Sequence, residues 1–232
     1  MATTAICNSF KAELMQGGHC LLASQSSLAG AGASGAFTLT GLATTALVAV
    51  GMIAGGTGVA SGAVVSRILS ASSVQLDTAN TGTVTSGTIS FTGDTFKALL
   101  IKASPSLTYG ASQTNVGTPG SGTPSTSNVG TDETSGTGYT SGGVTLSNIT
   151  PALSGSAAVT QFSTNPSWTS ATFSATAMIV YNTSTRLGAG ATPLNNRAVA
   201  VYDFGGTQTV SAGTFTVLQP VNAAGTALIQ LT

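Results

Sequence analysis

The stretch AFTLTGLATTALVAVGMIAGGTGVASGAVVSRILSASSVQLDTANTGTVTSGTISF (Ala36–Phe91) decides the fold class. Phe37-Thr-Leu39-Thr alternates apolar and polar residues at period two, as do Val74-Gln-Leu76-Asp and Thr88-Ile89-Ser90-Phe91. Alternation at period two marks strands with one buried face. Leu47–Val50 and Val64–Leu69 are short apolar runs, read as buried strands. Gly41, Gly55-Gly56, Gly62, Asn80-Thr-Gly82 and Ser86-Gly87 punctuate them. Short strands separated by such turns predict a small β-sandwich or barrel. One alternative concerns Leu42–Val59, which is about long enough to cross a bilayer. Its four glycines, three threonines and lack of basic or aromatic flanks favour a buried strand pair instead.

Outward from this stretch the same texture continues. Phe96–Ile101 (FKALLI) reads as a strong apolar strand closed by Pro105. Residues 111–143 are mostly Gly, Ser, Thr, Pro and Asn and read as one long loop, a length that marks function or mobility. Val144–Leu146, Ala158–Phe162, Ala171–Thr176, Met178–Tyr181, Arg197–Phe204, Gly213–Leu218 and Ala227–Leu231 follow as short strands. Toward the N-terminus, Leu21–Gly35 (LLASQSSLAGAGASG) reads as a linker. Ser9–Gln16 favours a helix, with Ser9 as N-cap, Phe10, Glu13 and Leu14 on one face and Gly17-Gly18 as the stop. The same letters also alternate as a strand. The expected class is therefore all-β.

Composition limits function. Only 5% of the 232 residues are charged, six basic against six acidic, while Ser and Thr exceed a quarter and mean hydropathy is +0.35. Disorder driven by charge is excluded, because the chain is apolar and net neutral. Six scattered cations cannot neutralise a phosphate backbone or hold an anionic membrane surface. The N-terminus does not read as a signal peptide, since it lacks a basic start and carries Lys11 and Glu13 where an apolar run would lie.

Residues that carry chemistry are scarce. His19 is the sole histidine, and no G-x-S-x-G elbow accompanies it, so a Ser-His-Asp system is set aside. Cys7, His19 and Cys20 do not have zinc-ligand spacing, and the two cysteines are read first as small apolar residues, their pairing left open. The carboxylates are Glu13, Asp77, Asp94, Asp132, Glu133 and Asp203. Asp132-Glu133, in the long loop, could hold a hard cation but read more simply as a solvated turn. No carboxylate pair stands out for glycoside hydrolysis, and Trp168 alone is available to stack a sugar. Gly30-Ala-Gly32-Ala-Ser-Gly35 matches G-x-G-x-x-G, yet a strand-like segment follows it where the dinucleotide motif needs a helix. Asn148-Ile-Thr150 and Asn182-Thr-Ser184 match glycosylation sequons of little weight. The expectation is no catalytic residue, no cofactor and no metal.

Six segments form a recognisable series: NSFKAELMQGGH (Asn8–His19), TGDTFKALL (Thr92–Leu100), SGTGYTSGGVTLSNITPALSG (Ser135–Gly155), MIVYNTST (Met178–Thr185), NNRAVAVYDFGGTQTVSAGTFTVLQP (Asn195–Pro220) and ALIQL (Ala227–Leu231). Together they resemble a family of small virion structural proteins of tailed bacteriophages, across Ala5–Cys20 and Phe91–Thr232. NRAVAVxDFGG and GTGYTxGG are the most specific parts. The intervening TLTGLATTALVAV and ASSVQLDTANTGTVTSGTISF resemble a β-module common in phage structural proteins. The resemblance implies a main β-sandwich or barrel domain from 1–24 and 92–232, with a smaller β-domain, 31–91, inserted near the N-terminus. It brings no catalytic residues. The implied role is structural, foremost as a head decoration (cement) protein on the outer capsid, made in the host cytoplasm. Its partners would be the major capsid protein and further copies of itself, with a trimer suited to local three-fold positions. A tail, collar or neck component and a host-binding adhesin or fibre are the alternatives.

Overall fold

The computed structural model describes residues 2–184 and 195–231. Thr185, the end of the MIVYNTST segment, lies outside them. Along the chain run β1 (Ala5–Ile6), α1 (Asn8–Met15), β2 (Gln25–Leu28), β3 (Thr38–Leu39), β4 (Ile53–Gly55), β5 (Val65–Ser70), β6 (Ser73–Leu76) and β7 (Ile89–Thr92). Then come β8 (Phe96–Lys102), β9 (Val144–Leu146), β10 (Ala152–Ser154), β11 (Ala157–Thr160), β12 (Ser167–Asn182), β13 (Arg197–Thr216) and β14 (Ile229–Leu231). The protein is mostly β, with several antiparallel sheets and one short helix, and no sheet among the described residues closes into a barrel. The described chain divides into two compact units, 17–94 and the remainder.

The 17–94 unit holds two three-stranded sheets, β2-β7-β4 and β3-β6-β5. Leu39, Met52, Val65, Val74, Leu76, Ile89 and Phe91 form its core, all essentially inaccessible to solvent. The period-two residues Leu39, Val74, Leu76, Ile89 and Phe91 belong to that core, whereas Phe37, read on the same face as Leu39, stands 49% exposed just before β3. Its ends meet: the Cys20 N–H donates to Asp94 Oδ2 at 2.8 Å, and the Asp94 N–H donates back to the Cys20 carbonyl.

Two readings need correction here. The Leu21–Gly35 segment is no linker. Gln25–Leu28 is a strand paired with β7, and Ala31 and Gly32 bridge to Thr40 and Val84. A Cβ on Gly30 would lie 2.6 Å from Ile89 Cδ1, and one on Gly32 2.6 Å from Asn80 Nδ2. The small residues there let backbone approach core, which composition alone cannot tell from flexibility. The strand pair read into Leu42–Val59 is also only partly formed. Ile53–Gly55 is a strand, but Leu47–Val50 falls across two turns, closed by the Val48 N–H to the Thr45 carbonyl and by the Met52 N–H to the Ala49 carbonyl. Val48 is buried while Leu47 and Val50 stand 63% and 60% exposed. No described helix is long and apolar enough to cross a membrane.

The second unit is built on a five-stranded sheet in the order β1-β13-β12-β8-β9. β8 is buried from Ala98 to Ile101, and β12 from Ala175 to Asn182. A smaller sheet, β10-β11-β14, completes the strand set. Helix α1 begins one residue before the expected cap: Cys7 is the N-cap and makes no side-chain capping bond. Phe10 is its buried anchor, and Gly17 takes the left-handed conformation (φ +72°) just past the end. Glu13 pairs with Arg197 on β13 at 3.1 Å.

Candidate functional site: an uncharged surface around the β12–β13 ribbon

Asp132 and Glu133, the one acidic pair in the sequence, are buried rather than solvated. The loop 111–143 folds over β8 and places them there: Glu133 bridges to Ile101, and the Thr134 N–H donates to the Leu100 carbonyl. Asp132 Oδ2 accepts from the Ser106 N–H (2.7 Å), the Leu107 N–H (3.2 Å) and the Tyr109 hydroxyl (2.8 Å). Its Oδ1 faces Lys102 Nζ at 3.0 Å. Burial pushes the Asp132 carboxyl upward, but the Ser106, Lys102 and Tyr109 hydrogen bonds outweigh it and hold the group below the ordinary carboxylate range. Glu133 Oε1 accepts from the Tyr139 hydroxyl (2.7 Å) and the Gly142 N–H (2.6 Å), and Oε2 from the Ser141 hydroxyl (2.8 Å). Burial, then the Glu133 charge, raise the Tyr139 hydroxyl well above its usual range.

The two carboxylates therefore point to different loops and staple each to the sheet. They are structural anchors. Among the described residues no three His, Cys, Asp or Glu side chains group as a metal site. Cys7 and Cys20 are both buried, and burial foremost pushes the Cys7 thiol up to about 12. Such a thiol is unreactive at neutral pH. His19 is buried, and Asn182 of the second sequon is wholly inaccessible.

What the described surface does offer is exposed apolar area with little charge, Asp203 lying at its inner end. Strands β12 and β13 form a long ribbon whose outer part, Ser167–Ser174 against Thr209–Thr216, extends past β8 and β1, with Phe204–Thr207 bulging out of the ladder between Gln208 and Asp203. One face carries a run of aromatic contacts: Tyr139 stacks on Trp168 (6.1 Å), Trp168 meets Phe215 (6.0 Å), and Phe215 meets Phe204 (6.0 Å). Trp168 is buried, whereas Phe204 and Phe215 are half-buried. The chain after β13 is held by Gln219, whose Nε2 donates to the Thr164 carbonyl at 2.6 Å and whose Oε1 accepts from the Phe162 N–H at 3.0 Å. Tyr202 donates its hydroxyl to the Leu228 carbonyl at 2.8 Å. Between these segments lies a hollow of about 390 Å³ lined by Ile6, Met178, Phe204, Leu218 and Leu228, with Asp203 also in its wall. A second, of about 420 Å³, shares Phe204, Val217 and Leu218.

Leu218 is 77% exposed and Val221 73%. On the small sheet, Leu153, Ala158 and Leu231 lie opposite one another across three strands, and Leu153 is 80% exposed. The signal that finds this region is a charge gap: no Lys, Arg, Asp or Glu follows Asp203 through Thr232. Overall composition dilutes that signal, so counting charges for the whole chain misses it.

The chain matches no known family model, no curated protein and no solved structure.

Proposed function

We propose that this protein is a non-enzymatic structural component of a tailed-phage virion, a head decoration (cement) protein on the outer capsid. In this reading a sandwich-type main domain carries a smaller inserted β-unit. The partners are the major capsid protein and further copies of the chain, a trimer fitting local three-fold positions. The observation that carries it is the set of exposed or half-buried apolar side chains Leu153, Phe204, Phe215, Leu218 and Val221, the last four in a stretch with no charged residue after Asp203. Exposed apolar area of this kind marks contact with other proteins. The segment resemblance supplies the setting.

The mechanism is adhesive. Each apolar contact contributes about 25 cal/mol per Å² removed from water, so one copy holds weakly. Many copies bridging neighbouring capsid subunits add up, because a capsid subunit must then break several contacts to leave. Neutral hydroxyls and backbone groups around the patch can pair without the desolvation cost of charges.

Quantifying the protein in purified particles tests this. Hundreds of copies on isolated tailless heads, and heads lacking the protein that burst at lower temperature, are the expected results. Recovery only in tail fractions, or absence from the particle, overturns it.

A further inference from the structure

Helix α1 presents a knob. Phe10 anchors it in the core, the Cys7 N–H donates to the Val199 carbonyl, and the Asn8 N–H donates to the Ala111 carbonyl, so its start is tied to β13 and to the loop after β8. Lys11 and Met15, four residues apart on one side of the helix, are both exposed. Met15 is 90% exposed, the most of any large apolar side chain among the described residues. Glu13 is engaged by Arg197, so the exposed side keeps a positive charge. Lys11 Nζ lies 3.5 Å from Asn8 Oδ1, and among the described residues no carboxylate pairs with it.

The hollow of about 390 Å³ beside β13 has the opposite character. Its wall is mainly apolar, from Ile6, Met178, Phe204, Leu218 and Leu228, and it carries one carboxylate, Asp203. Asp203 is exposed; its Oδ1 accepts from the Gly205 N–H at 3.2 Å, and no described cation pairs with it. The chain has only six acidic and six basic residues, so a charge at an apolar surface sets which partner fits. The hollow calls for an apolar insert with a cation beside it. Met15 with Lys11 is such an insert: methionine is unbranched and fills irregular gaps, while the lysine stem carries its charge to the rim. We infer that helix α1 of one copy docks on a second copy, with Met15 in this hollow and the Lys11 ammonium against the Asp203 carboxylate. Knob and hollow are different surfaces, so the contact is head-to-tail. It closes into a ring, such as the proposed trimer, or runs on as an open chain.

This contact deepens the virion reading, on which it rests for the expectation that copies adhere to one another. Sedimentation of the full chain across concentration is the test. Lys11, Met15 and Asp203 are all exposed, so variants there keep the fold, and thermal melting checks that they do. Lys11→Glu alone or Asp203→Lys alone sets like charges together and should weaken self-association roughly five- to tenfold. Both changes in one chain restore opposite charges and should recover most of it. Met15→Ser removes the apolar insert and should weaken association roughly tenfold or more. A mixture of the two single-reversal chains should form larger species than either alone, because each supplies the charge the other needs. A wild-type chain monomeric at every concentration, single reversals without effect, a double reversal no better than the singles, or Met15→Ser associating like wild type each overturn the contact. Variants that self-associate normally but no longer bind heads overturn it in favour of a capsid-protein occupant. Particles decorated by a strictly monomeric chain would overturn this contact and leave the virion reading standing. A chain that associates through these residues but joins no particle would do the reverse.

Discussion

The two ends of the β12–β13 ribbon are the same pair of strands in two environments. In the inner part, Ala177–Asn182 against Arg197–Asp203, β12 lies between β8 and β13, and Ala177 to Asn182 are all buried. In the outer part, Trp168, Ala171 and Phe173 remain buried on one face, while Thr207, Gln208 and Thr209 are exposed. Backbone pairing between the strands is found in both, with shifts of register in each and a bulge at Phe204–Thr207 between them. The difference teaches that the inner ribbon secures the fold, whereas the outer ribbon spends its side chains on a surface.

Substitutions should separate the two ends by size of effect. The largest belongs to the inner end: Ile179→Ala leaves a cavity at a fully buried site and should cost about 3–4 kcal/mol in denaturant unfolding. Next comes the loop staple beside β8. Asp132→Asn should cost roughly 2–4 kcal/mol at neutral pH, since it removes a buried charge that accepts from Ser106, Leu107 and Tyr109 and faces Lys102, and puts an amide NH2 among those donors. Because the folded carboxyl titrates below its unfolded value, its contribution is present above the unfolded pKa and fades as pH falls through the folded one. The wild-type stability curve should therefore drop on acidification below about pH 4, and the Asn variant should show a shallower drop. Phe215→Ala, half-buried at the outer end, should cost about 1–2 kcal/mol by thermal melting. Thr209→Ala at the exposed outer edge should stay within about 0.5 kcal/mol. A Thr209 effect as large as that of Ile179 would erase the distinction between the two ends.

Much of the local structure was legible. Phe96–Ile101 became Phe96–Lys102, and the expected helix Ser9–Gln16 became Asn8–Met15. Long elements were harder. Arg197–Phe204 and Gly213–Leu218 read as two strands, as did Ala171–Thr176 and Met178–Tyr181, yet each pair is a single strand. The gaps read there are real irregularities, with Gly205 and Ala212 left-handed (φ +72° and +49°) and a register shift between Ala175 and Ala177, but the ladder resumes beyond each of them. The buried carboxylates were not legible as anchors. Their donors at Ser106, Tyr109, Tyr139 and Gly142 come from loops whose approach depends on the folded sheet.

The sequence by itself determined a β-rich, nearly uncharged protein, because period-two alternation and charge content are local properties. Tertiary structure alone decided which polar residues are buried, where the ribbon bulges, and that Leu21–Gly35 packs as structure. These depend on where distant segments meet, and only the folded chain brings those segments together.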